Sequence, residues 1–95
     1  MNLSDFKRSL AGDAPPPEIG DLALQALWFA AKGDWQRAHA LAQARDDETG
    51  AWVHAYLHRV EGDLPNAAHW YRRAGKPPHI GELAAEWDEI AAALL

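Results

Sequence analysis

Apolar residues recur along this chain at helical spacing, and the clearest run is WVHAYLHRVEGDLPNAAHWYRRAG, from Trp52 to Gly75. It reads as a helix, a Gly-Asp break and a second helix. An earlier and looser copy of the same unit precedes it. A first helix is predicted from Glu18 or Ile19 to Lys32, apolar on nearly every side from Leu22 to Ala31, so it needs cover on several faces. Gly33 stops it, free to take a positive φ. Asp34 caps a second helix that runs to about Arg45, with Trp35, Ala38, Leu41 and Ala42 inward. Asp46, Asp47, Thr49 and Gly50 are expected to make a turn. A third helix is predicted over roughly 51–61, ending at Gly62. Asp63 caps a fourth, from Leu64 to Ala74, with Pro65 in its first turn. After Gly75, Pro77 and Pro78, a last helix over about 80–94 turns Leu83, Ala84, Trp87, Ile90, Ala91 and Leu94 to one face. Glu82, Glu86 and Glu89 are expected on the opposite, solvated face. The class is all-α.

Residues 1–17 stand apart. Ser4 caps a short amphipathic turn carrying Leu3, Phe6 and Leu10, Gly12 ends it, and Pro15, Pro16 and Pro17 enforce an extended linker. A frayed tail is the expectation, because termini are loose unless docked. The alternative is an arm whose Phe6 and Leu10 pack on a neighbouring surface. The helical domain proper is assigned to 18–95.

The Gly-Asp breaks at Gly33-Asp34 and Gly62-Asp63 lie 29 positions apart. That shift superposes Ala26 on Ala55, Trp28 on Leu57, Trp35 on Leu64 and Ala38 on Ala67. Two hairpins related by translation would stack as a short α-solenoid, with the last helix as its cap. On these residues the chain resembles the tetratricopeptide repeat: a small residue in the first helix (Ala26, Ala55), a Gly-x-large turn, then a second small residue (Ala38, Ala67). The second unit adds Tyr71, Ala74 and the prolines Pro77 and Pro78. The first unit departs from the pattern, with Ala42 and Arg45 at the corresponding places, and the period is shorter than the family's roughly 34 residues. The Trp52–Gly75 stretch also resembles a group of small proteins of uncharacterised role. The resemblance implies a module that binds a peptide or helix in a concave groove. On the repeat register that groove is lined by Trp52, Tyr56 and Arg59, the composition of an interface hot spot. Ala23, Leu27 and Ala30 extend it as an apolar floor.

Charge narrows the partners. Fourteen acidic residues outnumber nine basic ones, for a formal charge of −5, and such a field repels phosphate backbones, so no nucleic acid is expected. No apolar run approaches membrane-spanning length, and MNLSDFKRSL lacks the apolar core of a signal peptide. The expectation is a cytoplasmic protein whose partner is a protein or peptide, or a second copy of itself. A homodimer is a third reading, since two repeats offer little core.

Candidate chemistry is sparse. Serine occurs only at Ser4 and Ser9, threonine only at Thr49, and cysteine is absent, so nucleophilic catalysis and thiolate metal sites lack their residues. Asp46-Asp47-Glu48 and Glu86/Asp88/Glu89 read as solvated carboxylates. Histidine is the one constellation with metal-ligand spacing. His54 and His58 share a helical face with Glu61, and His39 approaches them if the second helix packs on the third. Such a stripe holds zinc with one position left for water, the basis of a metal-binding or hydrolytic alternative. The competing reading places the histidines in a polar seam between helices, hydrogen-bonded to backbone or carboxylate. HxxxH also lacks the glutamate of HExxH, because residue 55 is Ala. His69 and His79 are expected at the surface and at a helix start. No cofactor is expected outside the zinc alternative.

Overall fold

In the computed structural model, which describes residues 1–95, six helices follow one another: α1 (Leu3–Ser9), α2 (Leu22–Ala31), α3 (Trp35–Ala44), α4 (Glu48–Val60), α5 (Leu64–Ala74) and α6 (Leu83–Leu94). The chain contains no strand, and the all-α class follows. No helix is long and apolar enough to cross a membrane.

α2 packs on α3, α4 on α5, and α3 on α4. The two hairpins turn alike. Gly33 and Gly62 take φ of 83° and 82°. Their amides bond back to Ala30 O and Arg59 O, and the next amides, of Asp34 and Asp63, to Phe29 O and His58 O. This Schellman closure needs left-handed backbone, which glycine adopts without strain. Asp34 and Asp63 then accept from Arg37 N and Asn66 N, capping α3 and α5.

Helix starts shift where a capping aspartate decides them. α2 begins at Leu22 rather than at residue 18 or 19, because the Asp21 side chain accepts from Ala23 N. α4 begins a turn earlier than expected, because Asp47 accepts from Gly50 N. Gly50 is therefore a helical residue. A Cβ there would stand 1.8 Å from Arg45 O and 2.9 Å from Ala42 O, so the missing side chain is what lets α4 start against the end of α3.

α6 does not extend the stack beyond α5. It lies across α2 and α4, with α1 against it. Trp87 is buried there, and its indole Nε1 donates to Leu27 O at 2.8 Å. The N-terminal segment is docked, not frayed. Phe6 is fully buried and stacks on Trp87 with ring centroids 5.6 Å apart. Trp28 Nε1 donates to Ser9 Oγ at 3.1 Å, and Lys32 Nζ donates to Leu10 O and Gly12 O. α2 is apolar on more sides than α3, α4 and α6 can cover, and α1 closes the remaining one.

Glu86 departs furthest from its expected place. It is 1% exposed. Arg59 Nη1 donates to its Oε1 at 2.5 Å, and the Tyr71 hydroxyl donates to Oε2. Burial first, and then this carboxylate, hold the Tyr71 hydroxyl well above the usual tyrosine range. Arg59 also donates to Gly81 O at 2.6 Å. One buried carboxylate thus ties α6 to α4 and α5.

Candidate metal centre

Helical periodicity places two pairs of rings at i, i+4: Trp35 and His39 on α3, and His54 and His58 on α4. The packing of α3 on α4 brings the pairs together. One ring nitrogen each of His39, His54 and His58 lies within 4.8 Å of the others. The His39 ring meets His54 edge-on at 4.5 Å and His58 at 5.4 Å, while His54 and His58 lie roughly parallel at 4.8 Å.

Aromatic walls hold these rings. Trp35 stacks on His39 at 4.8 Å and presents its edge to His58 at 5.9 Å. Its indole Nε1 donates to Leu57 O at 2.7 Å, which locks α3 to α4 beside the site. From α5, Trp70 stacks on His54 at 3.8 Å, with 14° between planes. His39 and His54 are positioned by stacking and carry no hydrogen bond to the protein, unlike the expected polar seam. His58 is different: its Nδ1 lies 2.5 Å from Glu61 Oε1. A carboxylate only accepts, so Nδ1 donates in this contact and Nε2 is the nitrogen left to ligate a metal. This is the carboxylate–histidine arrangement that orients metal-bound imidazoles.

Burial disfavours charge on two of the three rings. Burial, then His39 and His58, push His54 down to about 4. Burial, then His58, also lower His39, with Glu61 opposing. At neutral pH both rings offer lone pairs. His58, Glu61 and Asp63 form a second, overlapping group. Asp63 is already committed to capping α5, however, which leaves the three imidazoles as the better ligand set.

The depressed His54 value makes stability pH-dependent. Above pH ~6.5 the ring is neutral in folded and unfolded chains alike, and the contribution is complete. As pH falls toward about 4, the unfolded chain takes up the proton first and stability declines. The loss attributable to this group is on the order of 3 kcal/mol. Urea midpoints at neutral pH and near pH 4.5 should therefore converge in His54→Gln relative to wild type. Parallel acid sensitivity in the two proteins would remove His54 as the cause.

The expected groove is not open. Ala23 and Leu27 are fully buried and Tyr56 is 7% exposed, all beneath α6 and α1. The Arg59 side chain is 15% exposed and paired with Glu86. Ala30 and Trp52 are half-buried, and the Trp52 ring is covered by Lys76 Nζ at 4.3 Å. Tyr56 and Arg59 meet α6 beside Trp87 and at Glu86, whereas Trp52 also packs against the Ala55, Ala67 and Tyr71 cluster between α4 and α5. In contrast, His39, His54, His58 and Glu61 do come together. Trp70 and Arg73 escaped attention because they lie on α5, and only tertiary packing sets them beside His54. Trp35 was expected as plain core; its i, i+4 relation to His39 was the signal for its second role.

No protein-family model, curated protein or solved structure matches this chain.

Proposed function

We propose that this domain binds one divalent transition-metal ion, zinc in the first instance, through His39, His54 and His58, with Glu61 orienting His58. The observation that carries this reading is the convergence of three imidazole nitrogens, from two helices, within 4.8 Å. Three neutral nitrogen ligands suit zinc and its first-row neighbours and leave one coordination position open. Tryptophans on both sides support the ring planes. The ion also joins α3 to α4, so binding adds to stability. The peptide-groove reading draws less support, because its floor lies beneath α6.

Zinc titration of chelator-treated protein by calorimetry is expected to show one equivalent. At zinc one hundred times Kd, selective binding stabilises by about 2.7 kcal/mol, which raises Tm by roughly 10 °C or more in a domain this small. His39→Gln, at a half-buried position, should fold and lose the zinc response; His69→Ala should keep it. A wild-type protein that takes up no zinc, or a His39→Gln variant that binds it equally well, would refute the assignment.

A further inference from the structure

Imidazoles that bind a metal are uncharged ligands, so a divalent ion there is offset only in part, by the Glu61 carboxylate on His58 Nδ1. Beside it lies a cleft of about 300 Å³ between the α3–α4 connection and α5, with His54 and Trp70 in its wall. Two arginines and two aspartates border that cleft. Arg45 is satisfied, donating to Asp21 at 2.6 Å and to Asp47 at 2.9 Å. Arg73 is not held in the same way. Its guanidinium lies over Trp70 at 5.0 Å and approaches Asp46 only at 3.7 Å, with both partners largely exposed. Without metal, the two arginines and two aspartates cancel. With metal, the local charge becomes more positive by two units beside the Trp70 wall of the cleft.

Building on the metal reading above, we propose that the loaded site binds a small organic carboxylate, one oxygen filling the open coordination position and the carboxylate facing the Arg73 guanidinium. The planar fork of arginine matches a carboxylate. A cleft near the lower limit of ligand-pocket volumes suits a small molecule. Asp46 and Asp47 at the rim disfavour a dianion such as phosphate more than a monoanion.

Cobalt(II) in place of zinc gives the measurement, because its visible bands report coordination. Acetate is expected to shift these bands saturably, and inorganic phosphate to act more weakly. Arg73→Met should weaken acetate about tenfold or more, as loss of a charged hydrogen bond does, while cobalt affinity is unchanged. A cobalt spectrum indifferent to acetate, an acetate response equal in Arg73→Met, or tighter binding of phosphate than acetate would each overturn the inference while leaving the metal site standing. Failure of cobalt and zinc alike to bind wild-type protein would overturn the metal reading and this inference with it.

Discussion

Arg59→Ala is expected to destabilise the domain by about 3–5 kcal/mol, the range for stripping one partner from a buried ion pair. Glu86 is 1% exposed, and Arg59 is its charged partner. The alanine variant leaves a carboxylate beside the Tyr71 hydroxyl in a site that water scarcely reaches. The group must then stay charged without compensation or take up a proton, and either state costs stability at neutral pH. Removing both charges should be milder, because well-packed apolar replacements of a buried pair are often neutral or better. Urea unfolding followed by circular dichroism should thus rank wild type and Arg59→Met/Glu86→Leu close together, and Arg59→Ala far below them. An Arg59→Ala variant within about 0.5 kcal/mol of wild type, as for an ordinary surface substitution, would mean that this pair does not anchor α6.

Phe6→Ala should cost a comparable amount, about 3–5 kcal/mol for a fully buried phenylalanine. The ring is stacked on Trp87, and the helix that carries it places Ser9 beneath the Trp28 indole. Loss of the ring opens a cavity between α1 and α6, and loss of α1 uncovers Trp28 and Trp87 together. Tryptophan emission should move to longer wavelength on deleting residues 1–12, with a melting temperature lower than that of Phe6→Ala. Arg8→Ala is the control, since its only partner is the neighbouring Asp5 on an exposed turn. If the deletion melted with wild type, α1 would contribute nothing to the core.

These two expectations concern residues whose roles the chain pattern misassigned, for a common reason. Glu86 follows the polar spacing of Glu82 and Glu89, and nothing within a few residues of it announces burial. Its partners, Tyr71 and Arg59, are 15 and 27 positions away. Phe6 sits in a short helix followed by three prolines, a pattern shared by loose tails and docked arms. Which one forms depends on whether the body of the domain leaves an apolar face bare, and that is a property of the assembled helices.

The candidate metal centre divides in the same way. His54, His58 and Glu61 share one turn-to-turn stripe of α4, so their juxtaposition follows from helical period alone. His39 joins them only because α3 packs on α4, and Trp70 and Arg73 only because α5 packs on the other side.

What the sequence determined by itself was everything that short-range chemistry controls. The helices and their order, the two glycine turns, the capping aspartates and the α4 stripe depend on dihedral preference, hydrogen bonds and spacing within a few residues. Tertiary structure decided the rest: that α6 covers the face formed by α2 and α4, that α1 completes the core, and that Glu86 is a buried anchor. It also decided that His54 stacks on Trp70, while His58 keeps a bond to the Glu61 carboxylate of the kind expected for a polar seam. These outcomes depend on which apolar surfaces find one another across the whole chain. A hydrophobic pattern states that a face will be buried, but not against what.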